Sequence, residues 1–487
     1  MIKSNPEFYD LALLIALLDS QDIPEELLVL YKNQYITTNF LRNLKKNSLI
    51  TNVQYKNNDR KDIDNLTSFS IHRSTQINIL ADIIESLSAK QKQELLSTIL
   101  TNVQSYILRQ IDLENSSGLK NFIRHCEVLS SKHDLLGRED LISINNVLGI
   151  IYYYLGNDKQ AKNILEENLS IDKEDQETAL ILTHLGAIYR KIGQDYQMAI
   201  NSLKKAIAIY DKISPDSVRE GLALTHLGNT YRTLGDFQNA IEALQKSVNI
   251  YHKQSGYYAG EARALGYLGV AYREQGDLTK AKDLLEQAIN LYNKEKYPKY
   301  SSVYAGTLAH LAITYRMMEK YGKAKNILEE SVKIYKQIRP ENHPDIGRNI
   351  LNLGIIYGEI KENIKAKELL EKSLNDYENN YGKSHIETGK VLNHLGRFYI
   401  LAKNYKGAEE SLKRASGILQ QNSHPESYRS FELLGDLYIS KKQPLLNKEA
   451  ARTNYNKSLE LALKYFSKNS VNVNRVKGKI NNLEINS

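Results

Sequence analysis

The stretch 183–200 reads THLGAIYRKIGQDYQMAI, and 225–241 reads THLGNTYRTLGDFQNAI. Aligned on the Leu-Gly pair, the same phrase recurs along the chain, with its small residue at 149, 186, 228, 269, 312, 354, 396 and 435. The steps are 37, 42, 41, 43, 42, 42 and 39 residues. A fixed period in this range marks a solenoid in which one supersecondary unit is stacked on itself.

Each unit predicts two helices. In the first, a Leu four residues before the Gly (Leu182, Leu224, Leu265) and a Tyr three after it (Tyr189, Tyr231, Tyr272) form a stripe at helical spacing. A Gly inside a helix costs roughly 1 kcal/mol against Ala, so it belongs where two helix backbones approach closely. Gly235-Asp236 and Gly276-Asp277 read as a helix stop and restart. The second helix then carries Ala240, Leu244, Val248 and Tyr251 on one face, matched in the next unit by Ala281, Leu285, Ile289 and Tyr292.

Small residue, aromatic, turn and Ala recurring in register resemble the tetratricopeptide repeat family, over eight units and roughly residues 141–466. Units of about 42 residues with few Pro are similar to the long-repeat branch found in kinesin light chains. The resemblance implies an all-α, right-handed α-solenoid whose first helices line a concave groove for peptides or protein segments. The last unit departs, with KKQPLLN as its turn and its Ala site displaced, as a capping repeat would. Residues 467–487 are polar, with Lys468, Arg475, Lys477 and Lys479, and predict a flexible basic tail.

Residues 1–76 follow another grammar. A helix over about 6–19, a short one from near Pro24 (IPEELLVLY) and a third (ITTNFLRNLKKNS) precede two strands, NSLITNVQY and LTSFSIHR, joined by the polar loop YKNNDRKDIDN. Three helices and a hairpin with a long tip is the order of a winged helix. The third helix offers Arg42, Lys45 and Lys46, few cations for a recognition helix. The phrases LDSQDIPEELL, FLRNLKKNSLIT and FSIHRSTQ resemble the winged-helix module of NB-ARC-type signalling NTPases of the STAND class. There a nucleotide domain precedes the module and a repeat domain follows it. That family closes the module with Met-His-Asp, whose His meets the phosphates of bound ADP. Here Ile71, His72 and Arg73 stand there, so the resemblance implies nucleotide sensing by His72 only beside an NTPase. The sequence contains neither Gly-x-x-x-x-Gly-Lys-Ser/Thr nor Gly-x-Gly-x-x-Gly. The expectation is a fragment of a longer NTPase, a partner NTPase on another polypeptide, or loss of that domain. Residues 77–140 predict a helical linker, with helices near 77–88, 91–111 and 117–131 and a degenerate capping repeat among them.

Composition narrows the function classes. A hydrophobic share of 41% excludes wholesale disorder, and eight of the 33 Tyr fall at one place in the repeat. The net charge of +8 accompanies a chain rich in Lys, Asn and Ile together, so charge alone does not argue for nucleic acid. A single cysteine, Cys126, excludes an internal disulfide framework and a cysteine-based metal cluster, and it fits a cytoplasmic protein. The apolar run LALLIALLDS at 11–20 is too short to span a bilayer and lacks the basic start and cleavage site of a signal peptide. It predicts a buried helix.

No catalytic constellation is legible, and no cofactor is expected. His184, His226, His310 and His394 precede the repeat Leu one unit apart, too far apart to share a zinc ion. The candidate site is a stripe. Arg follows the repeat Tyr in four successive units (Arg190, Arg232, Arg273, Arg316), and Asn229, Arg348, Lys390 and Arg397 share its nominal helix face. Two readings stand side by side: a basic groove that grips an acidic peptide with bidentate Arg contacts, or Arg side chains paired with neighbouring Glu inside the array. The expected protein is a non-enzymatic scaffold binding a protein or peptide, the sensor half of an NB-ARC-type bacterial switch. The alternatives are a stand-alone adaptor or secreted effector, and a winged-helix DNA-binding regulator.

Overall fold

The computed structural model describes residues 6–55, 66–112, 116–169, 173–192, 195–254, 256–294, 301–339, 343–440, 447–466, 468 and 470–485. The chain forms two compact units, residues 1–271 and 272–487.

The first unit opens with α1 (Pro6–Leu17), β1 (Ile23–Pro24), α2 (Glu25–Tyr31), α3 (Gln34–Lys46), β2 (Ile50–Tyr55) and β3 (Leu66–Ile71). The apolar run is α1: Leu11 to Leu18 are all buried, and Phe8 packs edge-on against Phe40 of α3. A helix end buried this deeply leaves carbonyls without partners. Gln76 supplies them, its Nε2 donating to Ile15 O at 2.7 Å and to Leu18 O at 3.2 Å. β2 and β3 form the expected antiparallel hairpin, pairing Ile50 with Ile71 and Thr51 with Ser70 before a register irregularity. The sequence reading missed β1, which pairs Ile23 with Phe69 and makes a three-stranded sheet in the order β1-β3-β2. Pro24, with no N–H, tolerates this place because the strand is an edge. The expected polar loop lies, over 56–65, outside the described residues.

The bridge is α4 (Arg73–Ser86), α5 (Ala89–Asp112) and α6 (Ser116–Ser130). One hydrophobic cluster runs from Phe8 through Ile83 and Phe122 to Ile151, so the N-terminal region, the bridge and the first repeat helix share a core. The helix hairpins α7 (Arg138–Tyr154) with α8 (Asp158–Asn168), α9 (Gln176–Ile192) with α10 (Tyr196–Ile213), and α11 (Val218–Thr233) with α12 (Phe237–Lys253) follow. The chain passes into the second unit within α13 (Tyr258–Gln275). That unit continues with α14 (Leu278–Lys294) and the hairpins α15 (Ser302–Met317) with α16 (Tyr321–Ile338), α17 (Pro344–Glu359) with α18 (Asn363–Tyr381), α19 (Ile386–Leu401) with α20 (Tyr405–Gln421), and α21 (Ser427–Ser440) with α22 (Lys448–Tyr465). It closes with α23 (Val471–Ile485). In each unit the hairpins stack as an α-solenoid.

The repeat phrase now has a physical account. A Cβ placed on Gly186 would stand 2.4 Å from Leu203 Cγ, and one on Gly228 would stand 2.5 Å from Leu244 Cγ, so these glycines are where the two helices of a hairpin touch. The repeat Tyr reaches back to the second helix of the preceding hairpin. Tyr189 donates to Glu166 (2.6 Å), Tyr315 to Glu286 (2.5 Å), Tyr357 to Glu329 (2.8 Å) and Tyr399 to Glu371 (2.7 Å). The stop after the first helix is a left-handed residue seven after the repeat Gly. Gly156, Gly235 and Gly276 have φ of 87°, 77° and 106°, while Glu319, Lys361 and Lys403 hold 60°, 65° and 60° without glycine's freedom. The restart is a capping side chain, as at Asp236, which accepts from the backbone N–H of Asn239.

Two expectations about the C-terminal end are corrected or refined. The flexible basic tail is a helix from Val471 onward, with Val473 and Val476 fully buried beside Tyr428 and Ala462. The displaced Ala site of the last hairpin is refilled by Ala451, fully buried sixteen residues after Gly435, where Ala240 follows Gly228 by twelve. The residues between, 441–446, lie outside the described set.

Candidate functional site: the arginine positions of the repeat

Arg190, Arg232, Arg273 and Arg316 sit in the last turn of α9, α11, α13 and α15. One register position thus yields four guanidinium groups, and the structure uses them differently.

In the first unit, Arg232 donates from Nε to Oδ1 of Asn229 at 3.0 Å. Asn229 is buried, so the two residues hold each other within α11. Arg190 is half-buried, and its Nε is out of contact with solvent and has no hydrogen-bond partner. Its charge acts on two deeply placed groups. Burial pushes the Tyr153 phenol up to about 12 while Arg190 opposes the rise. Burial pulls His226 well below the ordinary histidine range, and Arg190, His184 and Arg263 push it further down. His184 is buried too. Its Nδ1 stands 2.9 Å from Leu180 O, its ring lies edge-on to Tyr153 and Tyr154, and burial brings its pKa down to about 4. These histidines are neutral at physiological pH and belong to the helix contacts.

In the second unit, Arg273 is buried, 8% exposed, and donates from Nη1 to His310 O at 3.3 Å. Arg316 is half-buried with its Nε out of contact with solvent and without a hydrogen-bond partner. Burial lowers its pKa, Glu359 opposes that, and Arg397 adds to it. Arg397 is exposed and stands 3.5 Å from Glu359, so an acid interrupts the basic stripe. Exposed Arg348 lies 3.5 Å from Asp345, and Lys390 lies 2.7 Å from Glu387. Asn229, Arg232 and Arg273 serve the array, whereas Arg190 and Arg316 each keep a buried donor unused.

Sequence reasoning missed a cavity of about 320 Å³ in the first unit, lined by residues of α5, α7 and α9 together with Arg219. Asn146 lines it, 1% exposed, donating to Glu177 at 2.9 Å while its Oδ1 has no partner. The signal lay in the register. Three residues before the repeat Gly, the middle units carry Thr183, Thr225, Gly266 and Ala309, and the first carries Asn146.

Elsewhere, His72 is exposed at the N-terminal cap of α4, its side chain making no cap bond. Arg42, Lys45 and Lys46 are exposed on α3, Lys45 lying over the Tyr55 ring at 5.9 Å. Among the described residues, no three His, Cys, Asp or Glu side chains gather as metal ligands do, and no helix is long and apolar enough to cross a membrane.

No curated protein matches the chain. Solved structures do. A signal transduction ATPase with numerous domains (STAND), with a tetratricopeptide repeat sensor, from Pyrococcus horikoshii aligns at 17% identity and a TM-score of 0.53, covering 95% of this chain and 65% of that one. A Rap protein complexed with Competence and Sporulation Factor aligns at 13% identity and a TM-score of 0.51, covering 79% and 99%. The apo form of the quorum sensor NprR from B. thuringiensis aligns at 14% identity and a TM-score of 0.51, covering 72% and 92%. At these identities the likeness is one of fold. The tetratricopeptide repeat model matches residues 140–212, 219–294, 303–379 and 345–421, together more than half of the sequence. With that match, and with its hairpins stacked in the register the glycines set, the chain belongs to the tetratricopeptide repeat family.

Proposed function

We propose that the protein is a non-enzymatic scaffold whose repeat helices hold protein or peptide segments through their acidic side chains, with Arg190 an anchor in the first unit and Arg316 an anchor in the second. One observation carries this reading: at the same repeat position, both residues keep a buried Nε donor with no partner. A buried donor left unpaired costs about 1–3 kcal/mol, which a carboxylate on a ligand would recover. Arg suits that role because Nε and one Nη present two parallel donors to a carboxylate. The exposed Arg348 and Arg397 and the half-buried Lys390 add long-range attraction, moderated by Asp345, Glu359 and Glu387.

The test uses the full chain and a soluble random peptide pool. Captured peptides are expected to be enriched in Asp and Glu. Arg190→Gln together with Arg316→Gln is expected to weaken them at least tenfold, with helicity unchanged by circular dichroism. Lysine at both positions is expected to restore little, since it lacks the paired donors. A pool without acidic enrichment, or unchanged affinity in the double variant, overturns the reading.

The finer reading is a sensor half: the N-terminal region as the winged-helix module of a STAND-type switch, with ligand on the repeats altering its contacts to an NTPase in cis or in trans. The order of elements and the alignment across 95% of this chain with a STAND protein support it. So does the exposed position of His72 between β3 and α4. Native protein captured from its own cells is expected either to exceed 55.6 kDa in intact mass or to bring an NTPase with it. Neither result would leave the scaffold reading standing alone.

A further inference from the structure

A second cavity, of about 500 Å³, lies in the first unit where β1, α2 and the hairpin face α5 and α6. Its chemistry differs from that of the repeat helices. Asp22, Glu25 and Glu26 line it, and among the described residues no Lys or Arg does. Neutral amides fix the three carboxylates. Gln54 donates to Asp22 at 3.2 Å, Gln34 to Glu25 at 2.9 Å and Gln110 to Glu26 at 3.0 Å. Arg109, outside the lining, stands 3.5 Å from Glu26. The opposite wall is aromatic: Tyr106 and Phe122 lie 5.2 Å apart, and Phe122 is 4.9 Å from the His125 ring.

His125 is the independent observation. It is 1% exposed, it lines the cavity, and its Nδ1 is buried with no hydrogen-bond partner. The ring also meets the Asp22 backbone, and a neutral imidazole that donates there from its other nitrogen would leave Nδ1 as an acceptor. Burial keeps the ring neutral by lowering its pKa, against that bond and the charges of Asp19 and Asp22. The cavity therefore presents carboxylates, one unused acceptor and aromatic faces, all complementary to a cation rich in N–H donors.

We propose that this cavity is a binding site for a guanidinium group, stacked on the Tyr106 and Phe122 wall and donating to Asp22, Glu25 and His125 Nδ1. A guanidinium fits better than an ammonium because it is planar, weakly hydrated and carries several donors in fixed directions. A bound group would touch both the N-terminal region and the bridge, and so fasten one to the other. The group comes either on a small molecule or on an arginine side chain of a partner chain.

The experiment titrates the full chain with agmatine and, separately, with the blocked peptide acetyl-Gly-Arg-Gly-amide, by calorimetry. Putrescine serves as the ammonium control. Saturable one-to-one binding of agmatine, at least tenfold tighter than putrescine, is expected. Asp22→Asn and His125→Phe are each expected to weaken it about tenfold, as loss of a charge-assisted or buried hydrogen bond does. Should His125→Phe not fold, Glu25→Gln takes its place, with the same loss expected. Binding of the peptide but not of agmatine supports the site and identifies a partner's arginine as the source. No saturable binding of either probe, or binding that survives both substitutions, overturns the proposal.

Discussion

Gly228→Ala is expected to destabilise the protein by about 2 kcal/mol, while the same substitution at Gly417 stabilises it by about 1 kcal/mol. Both glycines lie inside helices, α11 and α20, so propensity alone favours Ala at each. The difference lies in the surroundings. A Cβ at Gly228 meets Leu244 Cγ at 2.5 Å and the backbone oxygen of Ala240 at 3.0 Å. The Leu can rotate, but Ala240 O moves only if α12 moves. At Gly417 nothing lies within 4 Å. Urea midpoints followed by circular dichroism provide the comparison. A repeat array need not unfold in one step, so the midpoint of the transition that each variant moves is the quantity to compare. Leu244→Ala should cost about 2–5 kcal/mol alone and less in the Gly228→Ala background, because the new methyl occupies part of the cavity. Loss of stability at Gly417, or strict additivity at 228 and 244, would remove the close-approach account of the repeat glycine.

The same register shows what the sequence makes legible. Gly, Tyr and Ala recur because each meets the neighbouring helix at a fixed depth, and that depth sets the period. The back-reaching Tyr–Glu bonds follow from the pattern once the hairpins are stacked, since Glu166, Glu286, Glu329 and Glu371 recur as regularly as the Tyr residues they face. β1 was illegible because two residues carry no period, and only Phe69 and Ser68 across the sheet define them as a strand. The helix at the C-terminus is legible in the same way. Val473, Val476, Ile480 and Leu483 repeat at spacings of three, four and three, a helical stripe concealed by the basic residues between them. The candidate site divides similarly. Position alone marked the four repeat arginines. Which of them is occupied depends on acceptors such as His310 O, thirty-seven residues from Arg273, and no local pattern encodes that. The acidic cavity draws Asp22, Tyr106 and His125 from three separate segments, so only the fold assembles it.

Glu432→Gln is expected to release α23 from the end of the array, at a cost of about 3 kcal/mol. Glu432 is fully buried, three residues before Gly435, where the middle units place Thr, Gly or Ala. Its carboxylate takes Arg475 Nε at 3.0 Å and Nη2 at 3.1 Å, Lys479 Nζ at 2.9 Å and Arg429 Nη1 at 2.6 Å. Arg475 and Lys479 are one turn apart on α23, so a single buried acid fixes that helix in register, and Asp436 takes Lys479 again at 2.7 Å. Burial alone would raise the pKa of Glu432, but Arg475, Arg429 and Lys479 bring it down to about 2. A carboxylate whose folded pKa is depressed stabilises fully above its unfolded value, and that contribution is lost as pH falls towards the folded one. At roughly 1.4 kcal/mol per unit, the shift corresponds to about 3 kcal/mol at neutral pH. Amide hydrogen exchange of α23 should therefore lose protection between about pH 4.5 and 2 in the wild type. In Glu432→Gln the helix should be poorly protected already at pH 7, with no further loss attributable to this site on acidification. The apolar contacts of Val473 and Val476 remain in that variant, which makes the outcome decisive. If α23 keeps its protection, hydrophobic burial alone holds it and the ion cluster only sets its register. If protection is lost, the end of the array is closed by charge, and acid approaching pH 2 would open it.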